Sequence, residues 1–136
     1  MPLVSRKGVL AIAAVIDVAM NAQDRPVSAK ALAGRHKLPP RHLEPVLQAL
    51  VRDGILRGIR GPHGGYELAR ENKLITAEDI LRAASSTDDA DELPVPLSGL
   101  VSDVVQPALA EAERSFSAAL ARINVDDMTR RARAKV

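Results

Sequence analysis

Arg41, His42, Glu44 and Gln48 lie within eight consecutive positions and together carry donor and acceptor groups of the kind that read base-pair edges. A guanidinium such as that of Arg41 can bond a guanine edge bidentately, and a carboxylate such as that of Glu44 can accept from a cytosine amino group. A second set follows at Arg60 and His63, which flank or sit within the run Gly61-Pro62-His63-Gly64-Gly65 ahead of Tyr66. Glycines let a backbone approach closely, and a neighbouring arginine can enter a narrow minor groove or neutralise a phosphate. Ser5 and Lys7 are candidates for phosphate contacts, which position a protein without reading sequence. Each residue also has a plainer alternative. Arg41 can be a solvated helix-end charge, Glu44 a partner of the helix dipole, His42 a surface or packed histidine and Arg60 an exposed strand-end charge. Tyr66 can hold the hairpin to the helices instead of touching a ligand.

Other chemistries are poorly served. The three histidines His36, His42 and His63 show no metal-ligand spacing, and no nucleophile-elbow sequence accompanies the serines. Gly61–Gly65 is followed by neither Lys-Ser nor Lys-Thr, and a strand pattern succeeds it, which argues against a phosphate-binding loop. The chain has no cysteine, which removes disulfides, thiolate metal sites and thiol catalysis. Asp88, Asp89, Asp91 and Glu92 can offer oxygen ligands to a hard cation, but carboxylates in a polar linker read as solvated. The expectation is a protein that is not an enzyme and has no resident cofactor or metal.

Composition narrows the partner. The 136 residues are 46% hydrophobic, enough for a core, yet they include one Tyr and one Phe, so that core must be aliphatic. Single-stranded nucleic acids are usually held on aromatic platforms, which makes duplex the better match. Residues 1–73 hold twelve Lys and Arg against six Asp and Glu; the remainder hold seven against eleven. A basic first half joined to an acidic second half suits a polyanion-binding module coupled to another task. The apolar stretch Val9–Ala22 is interrupted by Asp17 and lacks a cleavage-like ending, and no stretch is long enough to span a bilayer. A soluble, cytoplasmic protein without a membrane partner is expected.

The elements that must position these residues follow from periodicity. A long apolar helix starts near Val9 and stops around Asn21–Asp24, before Pro26. Ser28 caps a shorter helix, Ala29–Arg35. Pro39-Pro40 leads into a third, Arg41–Asp53, with Leu43, Val46, Leu47, Leu50 and Val51 on one side and Gly54 as a left-handed terminator. Ile55–Arg60 and Tyr66–Ala69 read as a β-hairpin around the glycines. Thr76–Asp79 resembles a capping box ahead of a fourth helix through Ala84. Ser85–Pro96 has linker composition. Beyond it a long helix, about Gly99–Ile123, carries Val101, Val105, Ala108, Ala112, Phe116, Ala119 and Ile123 as a near-heptad seam. Pro107 should kink this helix or split off its first turns. Asn124–Asp127 can cap a last short helix ending in the basic tail.

The fold class is thus mostly α with a small β-hairpin: a winged helix-turn-helix domain over 1–84, a flexible acidic linker over 85–98, and a dimerisation helix with basic tail over 99–136. The third helix is the groove reader and the hairpin is the wing.

Several segments resemble the Rrf-two family of bacterial winged-helix regulators. They are Ser5-Arg6-Lys7-Gly8, Leu43-Glu44, Gly54-Ile55-Leu56, the wing run Arg60–Ala69, Ile75-Thr76 and Asp79-Ile80, which together span about residues 3–84. The resemblance implies a homodimer joined by the long C-terminal helix on a partly palindromic promoter site, with Glu44 and Arg60 contacting DNA. Two departures stand out. Pro45 replaces the glutamine common after that glutamate and can delay the start of the reader helix. The three cysteines that cluster-binding members place within Ser85–Pro107 are missing, so the implied regulator works without an iron–sulfur cluster, and its signal is a small molecule, a partner protein or none. The alternative from another class is an adaptor whose winged helix docks a protein.

Overall fold

The computed structural model describes residues 5–85 and 99–135. Helix α1 (Arg6–Asn21) begins where the Ser5 hydroxyl accepts from the Gly8 N–H at 3.0 Å. It buries Ala11, Ala14, Val15 and Val18, the three-and-four spacing of one helix face. Ser28 caps α2 (Ala29–His36) in the same way, accepting from Ala31 at 3.0 Å. This helix runs one residue past the expected end and closes on Lys37 in the left-handed region, φ 54°.

Helix α3 (Pro40–Arg52) has Pro40 in its first turn, where the missing N–H costs nothing. Pro45 lies inside it and does not delay its start, contrary to the expectation. The carbonyl that Pro45 leaves without a helical donor is that of exposed Arg41, four residues back, so water can take the bond. Gly54, at φ 77°, ends the helix in a Schellman arrangement: Ile55 donates to Leu50 at 2.9 Å and Gly54 to Val51 at 3.0 Å. The left-handed conformation makes glycine the fitting residue there.

Strands β1 (Leu56–Ile59) and β2 (Gly65–Leu68) pair antiparallel, with Leu56 opposite Leu68 and Gly58 opposite Tyr66. Val27, just before α2, extends this ladder by exchanging both backbone bonds with Tyr66. A Cβ on Gly65 would sit 2.4 Å from the Val27 carbonyl oxygen, so this close approach requires glycine. A short 3-10 turn, Asn72–Leu74, leads to α4 (Ala77–Ser85). The capping box forms as expected: Thr76 N–H donates to Asp79 and Asp79 N–H to Thr76, both at 3.1 Å. Ser85 ends this helix instead of opening a linker.

The long helix expected over 99–123 is divided ahead of Pro107, as that proline led one to expect. Residues Val101–Val105 form a π turn, and α5 (Gln106–Ala121) follows with Pro107 in its first turn. A widened turn directly before a proline relieves the clash of its ring with the carbonyl four residues back. Helix α6 (Val125–Ala134) then returns to the first helices. Ala77 donates to the Ile123 carbonyl at 2.7 Å and Val125 donates to that of Ile75 at 2.8 Å, stitching the end of α5 to the start of α4. Val125 is fully buried in the same core as Val15, Leu47, Leu50, Ile75 and Ile80. The tail that follows the proposed dimerisation helix is therefore packed into the first body. The linker residues 86–98, including Asp88, Asp89, Asp91 and Glu92, lie outside the described residues.

Candidate nucleic-acid interface

Burial divides α3 into two faces. Leu43, Val46, Leu47, Ala49 and Leu50 face inward, and every one of them is at most 1% exposed. Arg41, Glu44 and Gln48 recur at three-and-four spacing on the opposite, exposed face, joined there by Pro45 and Arg52. His42 is also exposed but turns toward the start of α1, where it lines a small groove with Lys7, Leu10 and Leu38. Lys7 is thereby brought to the N-terminal end of α3. Ser5 is placed differently: it caps α1 and lines a groove with Glu78, Arg82 and Phe116, between α4 and α5.

Arg60 and His63 are exposed at the hairpin tip, and neither has a hydrogen-bonding or ionic partner among the described residues. Arg57 of β1, three residues before Arg60, contrasts with them, since Glu67 directly opposite accepts two bonds from its guanidinium at 2.7 and 2.9 Å. Tyr66 is half-buried, packed against the core and held at its backbone by Val27.

A cluster that sequence reasoning passed over lies behind this surface. Asp17 interrupts the apolar face of α1, and its side chain is 7% exposed. Arg35 of α2 bonds both its carboxylate oxygens, at 2.8 and 2.6 Å, while Asn21 and His36 add bonds at 3.1 and 3.0 Å. Burial alone would raise the Asp17 pKa, but the bonds and charge of Arg35, with Asn21 and His36, outweigh it and hold the carboxyl below its ordinary value. The same carboxylate holds the Arg35 guanidinium above its own. One buried carboxylate amid apolar residues is the only sequence signal for this cluster, and its partners, 18 and 19 residues away, cannot be read from spacing.

Most of the residues expected to form a dimerisation seam lie on α5, a helix that has no buried residue. Ala108, Ala112 and Ala119 are exposed, as is Val105, and Leu100, Val104 and Leu109 enlarge the apolar surface with 67, 58 and 58% exposure. Phe116 is half-buried against α4, and Ile123 lies past the end of α5 in the backbone stitch to Ala77. The side chain of Val101 lies outside those described.

Among the described residues no helix is long and apolar enough to cross a membrane, and no three His, Asp or Glu side chains converge as a metal site would require. A cluster held by thiolates does not fit the donor set of a chain without cysteine.

Residues 4–131 match the model of the Rrf2 family, described as an iron-dependent transcriptional regulator. The HTH-type transcriptional regulator IscR of Yersinia enterocolitica is 32% identical over 84 residues, 62% of this chain and 51% of that protein. The chain spans about half the length of the curated relatives it matches. Among solved structures, T. potens IscR superposes with a TM-score of 0.75 at 29% identity, covering 96% of this chain and 88% of the other. CymR, the global cysteine regulator of B. subtilis, does so with a TM-score of 0.69 at 25% identity, covering 95 and 97%. With the winged-helix architecture in place and the family match running through nearly all of its length, the chain belongs to the Rrf2 family of transcriptional regulators.

Proposed function

We propose that this protein is a cytoplasmic, homodimeric regulator that binds a pseudo-palindromic duplex site without an iron–sulfur cluster and represses by occupying a promoter. The observation that carries this reading is the outward face of α3, where Arg41, Glu44 and Gln48 stand exposed while an unpartnered Arg60 crowns the wing. A helix of this width enters the major groove, and the wing is free to meet the adjacent minor groove or backbone. Basic side chains displace counterions from phosphates, and α3 with the wing then selects sequence. The apolar surface of α5 supports the homodimer, since hydrophobic side chains at such exposure have a partner to gain. Two copies joined there would present two reader helices, and successive major grooves on one DNA face lie about 34 Å apart. The signal acting on this dimer is a small molecule, a partner protein or none, and no catalytic role is assigned.

Genome-wide DNA capture with the purified protein at two salt concentrations tests the reading. One enriched pseudo-palindromic motif that survives the higher salt supports it. Salt-sensitive capture without a motif reduces the protein to a non-specific DNA binder. Absence of binding rejects the reading in favour of a protein-docking adaptor.

A further inference from the structure

The reader helix and Arg60 leave one basic surface unused. Between the wing tip and the segment entering α2 runs an open groove of about 420 Å³, whose lining includes Arg25, Ser28, Arg35, Pro62 and His63. No carboxylate lines it among the described residues. Arg25 is exposed and has no ionic partner among the described residues. Arg35 reaches Asp17 through Nε and one terminal nitrogen, at 2.8 and 2.6 Å, which leaves its other terminal nitrogen unbonded among the described residues. The Ser28 oxygen accepts from Ala31, and its own hydroxyl proton remains available to donate.

The groove is also fixed in shape. Val27 and Tyr66 exchange backbone bonds at 2.9 and 2.8 Å, so Arg25, two residues before Val27, and His63, three before Tyr66, belong to one braced unit. Pro26 and Pro62 stiffen the two walls. Gly64 lines both this groove and the hollow beside Arg60, so the two adjoin at the wing tip.

We propose that this groove is a seat for one phosphodiester of the DNA backbone, with Arg25 and His63 as its principal donors. The proposal rests on the DNA-binding reading above. Arg25 and His63, which no carboxylate engages among the described residues, together with the free terminal nitrogen of Arg35 and the Ser28 hydroxyl, suit an oxyanion with several acceptor oxygens. The groove is open, so a continuous strand can pass along it, whereas a free anion would be left largely in water. A wing whose Arg60 faces the minor groove brings this adjoining groove toward the bordering strand, where a phosphate is available. Such a contact adds affinity and fixes register but reads no base.

Titrations of wild-type protein, Arg25→Ala and His63→Ala against a captured site and a random duplex, each at several salt concentrations, test the seat. Arg25→Ala should weaken both duplexes several-fold and by the same factor, and should lower the salt slope by about one. A methylphosphonate scan, which neutralises one phosphate at a time, should find a position near the wing that weakens the wild-type complex and leaves that of Arg25→Ala unchanged. Thermal melts establish that the variants fold, which is expected because both side chains are exposed. Unchanged affinity and salt slope for both variants, beside a loss for Arg60→Ala, would overturn the seat while sparing the DNA-binding reading. A loss for Arg25→Ala with no phosphate coupled to it would also overturn the seat, since a general field would account for it. Inorganic phosphate that raises the melting temperature of wild type but not of Arg25→Ala, without any methylphosphonate effect, would assign the groove to a free anion and reject the diester. Failure of the wild type to bind any duplex would instead sink the parent reading.

Discussion

Asp17 of α1 and Arg35 of α2 meet through two hydrogen bonds, 2.8 and 2.6 Å long, with the carboxylate almost fully buried and the guanidinium 44% exposed. That asymmetry predicts unequal costs for removing either partner. Arg35→Ala strands a buried carboxylate, which in a fully buried pair costs about 3–5 kcal/mol; the partial exposure of Arg35 and the remaining bonds from Asn21 and His36 should reduce this to about 2 kcal/mol. Asp17→Ala leaves an arginine that can turn to water and should cost less. Urea unfolding of both variants measures the difference, and an equal or reversed order would show that the pair is not held by the burial of Asp17.

The same carboxylate sets a pH dependence. Its folded pKa is depressed below the ordinary value of 3.8, so the stability it contributes is fully present above that value. It is lost as pH falls through the lower, folded pKa, because the protonated acid no longer rewards Arg35. Asp17→Asn should therefore unfold with a shallower loss of stability between about pH 5 and pH 2 than the wild type. Parallel thermal melts across that window check this, and identical slopes would place the acid-sensitive group elsewhere.

On the exposed surface, Glu44 and Lys7 should separate reading from positioning. Glu44 stands on the outward face of α3 beside Arg41 and Gln48, whereas Lys7 lines a groove with His42 at the start of α1. Glu44→Ala should alter the preferred sequence by about 1–3 kcal/mol at one base position. Lys7→Ala should weaken all duplexes by a similar factor and reduce the salt slope by about one. Binding titrations on site variants provide both readouts. Equal losses for Glu44→Ala on specific and random duplexes would remove it from base reading.

Much of this was legible because the signals are local. Ser28 and Thr76 announce helix starts within three residues of the groups they cap, and Gly54 marks the end of α3 by the conformation it must adopt. By contrast, α1 begins at Arg6, three residues ahead of the expected start near Val9, under a cap from Ser5 that sequence reasoning passed over. The wing follows from two short strands around glycines. Pro45 shows the limit of local rules, since α3 passes through it where the freed carbonyl of Arg41 is in an exposed turn. Long-range partners left no comparable signal. Nothing near Asp17 points to Arg35, and nothing near Val125 says that its helix will fold back into the core, because these pairings depend on how helices dock. The groove shared by Arg25 and His63 has the same origin: the Val27–Tyr66 bridge joins segments nearly 40 residues apart.

Helix α5 offers the most direct test of assembly. Val105, directly before the helix, and Leu109 within it are 39 and 58% exposed, and no residue of the helix is buried, so charge can be introduced without disturbing the core. Val105→Glu combined with Leu109→Glu should leave helical content and urea stability of the winged-helix body near wild type, while light scattering at micromolar protein shifts from dimer to monomer. Affinity for a palindromic site should fall by a much larger factor than affinity for a half-site, because the second half-site contact is no longer intramolecular. A wild type that scatters as a monomer, or a double variant that remains dimeric, would move the interface off this surface. A dimer that dissociates without any loss on the palindrome would instead separate assembly from DNA recognition and leave α5 to another partner.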